Sequence, residues 1–297
     1  MSVCAIVLAA TLPVFDFATN SIAQRIAGAD PAVSLSRFVD YPRCFAQSDE
    51  LRVMSDELNK DNNSSLIIHH SSLNQRFWLK DVDFSCASPW NDSCGSQRAG
   101  TLISKRHIIF ANHFPLWKGV RILFVDREGE VCPCHVAATK PLKRGDIMLG
   151  LLDYEVTPNI RPAKILPDDY AKYIGDGKGL PIVTFNQREQ VFLSRLDGIS
   201  TNANLRLVSN VTATNQPWKA LGGKIVGGDS GNPAFLLIGN EPILLYCLFS
   251  GGAGLGPSVF HFRKEIQAAM DELCPGYKLE AFNFDEMKTM GGRPLEL

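Results

Sequence analysis

The chain has 297 residues, 45% of them hydrophobic and 21% charged, with 30 Lys and Arg against 31 Asp and Glu for a formal net charge of −1. That length and apolar share allow one large core or two smaller ones. A near-neutral balance with no basic stripe or acidic tail argues against nucleic acid or a membrane surface as partner.

The N-terminus reads MSVCAIVLAATLPVF, an apolar run of signal-peptide length that is short for a membrane span. It lacks a positively charged start, while Ser21-Ile22-Ala23 offers a small-residue cleavage pattern. A signal over residues 1–23 implies a secreted or periplasmic protein starting near Gln24. The alternative is a cytoplasmic chain whose first strand is buried. Residues 24–65 read as an extension in which Leu51, Met54 and Leu58 share helical spacing within 47–63, behind a cap at Ser48 or Asp49.

From residue 66 the texture changes to short apolar runs bounded by Gly, Pro, Asn and Asp, among them SLIIHH, RFWLKDV, GTLISKRHIIFA, VRILFVD, VCPCHVAA, DIMLGLL, LPIVTF, QVFLSRL, AFLLIG and PILLYCLFS. About a dozen such runs predict an all-β sandwich or barrel. The stretch FRKEIQAAMDEL (262–273) differs, with Ile266, Met270 and Leu273 at helical spacing, and predicts a closing helix. Among eight cysteines, Cys86 and Cys94 flank a short segment they could close by a disulfide. Cys132-Pro133-Cys134-His135 resembles half of a metal site, but no second pair at metal spacing follows, so it reads as a strand-edge pair of thiols and no metal or organic cofactor is implied.

The segment GGKIVGGDSGNPAF (222–235) surrounds Ser230 with glycine. Glycine is costly to order and is kept where φ is positive or where something approaches the backbone closely. A plain turn would explain it, as would a nucleophile whose neighbouring N–H groups face a developing oxyanion. A serine nucleophile needs a base, and the base needs an orienting group. Of six histidines, His113 ends LISKRHIIFANHF at a strand terminus clear of the core; Asp146 heads the apolar run DIMLGLL, where a carboxylate requires a hydrogen-bonding partner. Asp126 and Asp153 sit in turn-like settings where water can satisfy them.

These three segments resemble those of the trypsin/chymotrypsin family of serine peptidases. LISKRHIIFANHF is similar to its histidine segment, RGDIMLGLL to its aspartate segment and GGDSGNP to its G-D-S-G-G-P, in the family's order, over roughly residues 95–275. The resemblance implies two six-stranded antiparallel β-barrels with a C-terminal helix and an N-terminal extension. The first barrel (66–160) would carry His113 and Asp146, the second (161–275) Ser230 and the helix, and 276–297 would be a tail. It further implies peptide-bond hydrolysis through an acyl-enzyme, with His113 as base, Asp146 as its orienting partner, Ser230 as nucleophile and the N–H groups of Gly228 and Ser230 as oxyanion hole. By the same resemblance Lys224, six residues before the serine, would floor the substrate pocket, with Phe249, Ser250, Gly251 and Ser258 in its walls.

Several positions depart from the family. Asn232 replaces a glycine, Asn112 and Phe114 replace the alanine and cysteine beside the histidine, and Val226 replaces a cysteine of the serine loop. In much of the family the aspartate before the serine pairs with a freed N-terminal amine. Here Arg25-Ile26-Ala27-Gly28 faintly resembles the family's R-I-V-G-G activation site, but Ile26 lies 87 residues before His113, well beyond the family's usual gap, and many bacterial relatives form the site without such an amine. An α/β-hydrolase would require glycine at Asn232 and would have only Glu241, in a turn-like setting, and His261 to complete its triad after Ser230, and GGAGLGP lacks the register of a dinucleotide site because Pro257 stands in it. The remaining rival is a protease-like fold that binds a peptide or protein without cutting it, or is held latent by its N-terminal extension.

Overall fold

The computed structural model describes residues 13–39, 73–88, 90–91, 98–200, 207–212, 218–248 and 254–286. The helix expected in 47–63, the strand expected in SLIIHH, and Cys94 lie outside them.

The chain begins with helix α1 (Pro13–Ile26), whose Val14, Ala18, Ile22 and Ile26 form one stripe four residues apart and are all buried. The polar face is tied down as well. Arg25 donates to Asp81, Ser21 and Asn240, anchoring the helix beside the hairpin turn at Gly239 and Asn240. The boundary expected after residue 23 therefore falls inside a packed helix. Cleavage there would remove Val14, Ala18 and Ile22 from the core. A short helix α2 (Pro31–Ser34) follows, capped by Asp30, whose side chain accepts the Ala32 N–H at 3.0 Å.

Residues 34–38 then run as a strap across both later sheets. Leu35 accepts the Val191 N–H at 3.0 Å, Ser36 bridges Gln190, and Arg37 donates its N–H to Glu189 at 3.3 Å. The run RFWLKDV, expected as a strand, is instead a chain of tight turns, with Phe77 N to Asn74 O, Lys80 N to Phe77 O and Val82 N to Leu79 O at 2.9–3.2 Å. Phe77, Trp78, Leu79 and Val82 are all buried, so the apolar run reflects burial rather than extension.

The first sheet comprises β1 (Trp90–Asn91), β2 (Thr101–Leu102), β3 (His107–Ala111), β4 (Arg121–Val125), β5 (Val131–Pro141) and β6 (Ile147–Leu152), in the order β1-β4-β5-β6-β3-β2. The second comprises β7 (Lys164–Ile165), β8 (Pro181–Phe185), β9 (Val191–Ile199), β10 (Leu207–Thr212), β11 (Pro233–Ile238), β12 (Glu241–Cys247) and β13 (Leu255–Pro257), in the order β13-β10-β9-β8-β11-β12-β7. Pairing is antiparallel in both, except that β7 joins β12 in parallel and makes the second sheet seven-stranded. A short helix α3 (Ala171–Ile174) precedes β8, and α4 (Arg263–Leu273) closes the structure.

Strands β3, β6, β8 and β11 are buried along their whole length. That is why their sequences run apolar without alternation: both faces are covered. Helix α1 covers β11 and β8, and α4 lies on β5 and β6 through Ile266, Ala269 and Met270. Leu273, expected on the same stripe, is only partly buried. The expected break at 275 and 276 is not a boundary either. Residues 279–284 pack back on the second sheet, with Ile165 N to Glu280 O at 3.0 Å, Phe282 N to Ile165 O at 2.8 Å, and Leu279, Phe282 and Phe284 buried. Cys132 and Cys134 sit on β5, an interior strand, both buried with sulfurs 4.0 Å apart; the pair is internal rather than at an edge. No helix among the described residues is long and apolar enough to cross a membrane.

Two outcomes test this packing. Ile22→Ala should cost about 2–5 kcal/mol in urea unfolding, the usual loss for a buried isoleucine. The second concerns Glu189, 3% exposed beside the strap, whose carboxyl burial pushes up to about 8 while the Arg37 charge acts against the rise. A carboxyl raised in the folded state contributes its full stability below the unfolded value of 4.5 and loses it as pH climbs to the folded value. The thermal midpoint should therefore fall from about pH 5 to about pH 8 more steeply than in Glu189→Gln, whose side chain cannot ionise.

Candidate active site

Antiparallel pairing of β3 with β6 sets Ala111 opposite Ile147. One step beyond this register, Asn112 donates its N–H to the Asp146 carbonyl at 3.2 Å. The next residue, His113, is thereby delivered to the Asp146 side chain. Its backbone N–H reaches Oδ1 at 2.8 Å, and its ring Nδ1 is in close hydrogen-bond contact with Oδ2. A carboxylate only accepts, so Nδ1 carries the proton and Nε2 presents its lone pair. That lone pair faces the Ser230 hydroxyl, with Nε2 and Oγ 2.9 Å apart. The Asp146 side chain is 14% exposed and the His113 side chain 45%, so the carboxylate is sheltered while the imidazole stays open to solvent.

Ser230 comes from the second sheet, in the turn that enters β11. Gly231 is the point of closest approach. Its φ is +87°, and a Cβ there would lie 3.2 Å from the Ala99 carbonyl and 3.6 Å from the Ala111 N. A bare backbone at 231 lets the loop rest against the end of β3, which is what brings Ser230 within reach of His113. Its N–H is fixed by the Leu248 carbonyl at 2.8 Å. Gly228 also has positive φ, +98°. Among the described residues, no backbone carbonyl takes the N–H of Gly228 or of Ser230.

Asp229 is 1% exposed between them. Its carboxylate accepts the Val226 N–H at 2.8 Å and the Gln187 N–H at 3.1 Å. Burial raises its pKa, and those two donors with the nearby Arg188 charge lower it. Ile26 is buried in α1 and takes no part. Asn232, one of the departures, is 2% exposed and its side-chain amide donates to the Asp229 carbonyl at 3.0 Å, closing the serine loop with a hydrogen bond. The Arg98 guanidinium lies 4.5 Å from the Phe114 ring, another departure, beside the histidine.

The expected pocket residues are not assembled in the same way. Lys224 is exposed: a Cβ at Gly223 would be 2.2 Å from the Phe192 ring and Ile225 is buried, so 223 and 225 face inward and 224 outward. Ser258 is wholly buried, and its hydroxyl accepts the His261 N–H at 3.3 Å at the start of a 3-10 turn, a structural rather than pocket-lining position. Phe249, Ser250 and Gly251 lie outside the described residues.

The weaker carboxylates have other uses. Asp126 accepts the Glu128 and Glu130 N–H groups, both at 2.9 Å, and shapes the β4–β5 turn. Asp153 pairs with His135 as Asp146 does with His113, through the backbone N–H at 2.8 Å and Nδ1 at 3.2 Å. No hydroxyl is hydrogen-bonded to the His135 ring among the described residues. Cys86, Cys132, Cys134, Cys247 and Cys274 are free thiols. No group of three or more His, Cys, Asp or Glu among the described residues is placed to hold a metal ion.

Sequence reasoning missed Gln187 and the capping role of Asn232. The first acts through a backbone N–H and leaves no mark in a motif; the second was visible only as a departure from glycine. No family model matches the chain, and no curated protein matches it.

Replacing Gly231 by alanine should cost about 1–2 kcal/mol for the left-handed backbone alone. The crowding against Ala99 should also displace the hydroxyl, so the His113–Ser230 contact should be lost in a crystal structure of a variant that still folds.

Proposed function

We propose that the chain is a trypsin-like serine endopeptidase that hydrolyses peptide bonds through an acyl-enzyme, its two sheets being the two β-barrels of that architecture. The observation that carries this reading is the chain of contacts Asp146–His113–Ser230, in which three residues from two sheets meet with the donor and acceptor order a nucleophilic serine requires. Two of the three come from the strand ends that the register of β3 and β6 joins, and the third from a loop whose glycines expose backbone N–H groups.

In the first step Ser230 Oγ attacks the scissile carbonyl carbon as His113 Nε2 takes its proton. Asp146 holds the Nδ1–H and stabilises the imidazolium without being protonated itself. The N–H groups of Gly228 and Ser230 would receive the oxyanion, a contribution of about 3–4 kcal/mol per donor in comparable sites. His113 then passes the proton to the leaving amine, and a water activated by the same imidazole hydrolyses the acyl-enzyme. The open face of His113 supports access by an extended peptide or protein substrate. The reaction as written needs no cofactor.

A fluorophosphonate probe tests the reading on the full chain. Labelling is expected on Ser230, abolished in Ser230→Ala and His113→Ala, and reduced about 10⁴-fold in Asp146→Asn, which misassigns the imidazole proton. A folded protein that stays unlabelled would favour the rival, a protease-like fold that binds without cutting.

A further inference from the structure

The β8–β9 turn, Asn186 to Gln190, is gripped from two sides. On one side Gln187 donates its N–H to Asp229 at 3.1 Å, and its side-chain amide lies under Gly228, where a Cβ would come within 2.7 Å of Nε2. The Gln187 amide also points toward the Gly227 carbonyl at 3.5 Å. On the other side the strap runs along Glu189, Gln190 and Val191, and Trp78 locks it in place, donating its N–H to Ser34 at 3.2 Å and its indole N–H to Val191 at 3.1 Å.

At the centre of the strap is Arg37, 6% exposed. Its guanidinium donates to the Val125 carbonyl at 2.8 Å and weakly to the Ala87 carbonyl at 3.4 Å, both in the first half of the molecule, while its backbone N–H donates to the Glu189 carbonyl at 3.3 Å in the second. Among the described residues Glu189 is the non-glycine residue with positive φ, +59°, and its Oε2 is buried there without a hydrogen-bond partner. A left-handed glutamate with an uncompensated oxygen persists only when its surroundings over-determine it. Here the surroundings are the strap, which supplies a backbone N–H to the Glu189 carbonyl and is itself anchored by the Arg37 guanidinium on the Val125 and Ala87 carbonyls. The turn's own bonds complete the frame: Asn186 Oδ1 accepts the N–H groups of Arg188 at 2.9 Å and Gln190 at 3.0 Å.

From this geometry we infer that Arg37 is a positioning residue for the Ser230 loop. It holds the conformation of the 186–190 turn, the turn places the Gln187 N–H, and that donor fixes Asp229 and with it the neighbouring N–H groups of Gly228 and Ser230. The strap thus serves the site without touching it. The inference rests on the proposed peptidase reading for its effect on rate, but the mechanical coupling between strap and loop does not.

The test uses the full chain as wild type, Arg37→Met, Arg37→Lys and Ile122→Val, the last a core loss on β4 that controls for general destabilisation. Two readouts are taken: saturation kinetics of fluorophosphonate labelling, and hydrogen exchange over residues 222–236. In Arg37→Met the limiting labelling rate should fall about 10- to 100-fold, the effect of a displacement of about 1 Å at a reacting group. The half-saturating probe concentration should stay unchanged, exchange in 226–232 should quicken, and Arg37→Lys should recover much of both. Ile122→Val should alter neither. If Arg37→Met is folded yet labels and exchanges as wild type, or if Ile122→Val matches it, the inference is overturned. A wild type that never labels refutes the peptidase reading instead, and exchange in 226–232 then decides the coupling alone. Should Arg37→Met fail to fold, Arg37→Gln, which is too short to reach both carbonyls but keeps a polar end, takes its place with the same expected direction.

Discussion

The contact on which the site depends is the seating of the Gly231 backbone against the end of β3. His113 and Asp146 are local to one another, because a single strand pairing sets them face to face. Ser230 is not. It arrives from the other sheet, more than a hundred residues later in the chain, and its position relative to the imidazole is only as good as the docking between sheets. That docking is tight at one place where no side chain intervenes, and it is continued beneath by Cys247, whose sulfur lies 3.8 Å from the Ile109 carbonyl. The hydroxyl and the imidazole are therefore registered by backbone, which has fewer ways to relax than side chains do.

The serine loop shows how buried polarity is met without a disulfide. Val226 and Phe114 stand where the trypsin-like resemblance would place cysteines. Instead, Asp229 collects two backbone N–H groups, and Asn232 returns an amide to the Asp229 carbonyl. A buried carboxylate without such donors would be costly; with them it becomes the loop's organiser. The same logic applies at Arg37, where carbonyls from two segments accept from a buried guanidinium.

The sequence was most legible where chemistry demands particular side chains in a local frame. His113, Asp146 and Ser230 stood out because a polar residue at a strand end or between glycines is visible in a short window. Position also separated Asp146 from Asp153, which pairs with His135 in similar two-point geometry with no hydroxyl on that ring among the described residues. Legibility failed where burial and conformation part company. The run at 76–82 is as apolar as a strand yet folds as turns, since apolar composition reports an interior and not an extended backbone. The cleavage pattern at Ser21-Ile22-Ala23 carries the same ambiguity: it lies in helix α1, where Ile22 is buried, and small or apolar side chains suit either setting. Lys224 was placed by counting back from Ser230, but the packing of Gly223 on Phe192 turns it outward. Contributions made by backbone N–H groups, Gln187 above all, are silent in any sequence.

The strap has a consequence for the order in which the molecule can be made. Residues 34–38 leave the ribosome before either sheet, yet their partners in the β8–β9 turn emerge about 150 residues later, and at typical elongation rates that is a wait of about 8–30 s. Through that interval Arg37 has no Glu189 to face and the Ser230 loop does not exist. A segment made before both sheets is thus among the last to be seated, and its long-range closure carries the entropic cost of a wide loop. A nascent chain accordingly holds His113 and Asp146 side by side well before it holds a hydroxyl for them to activate.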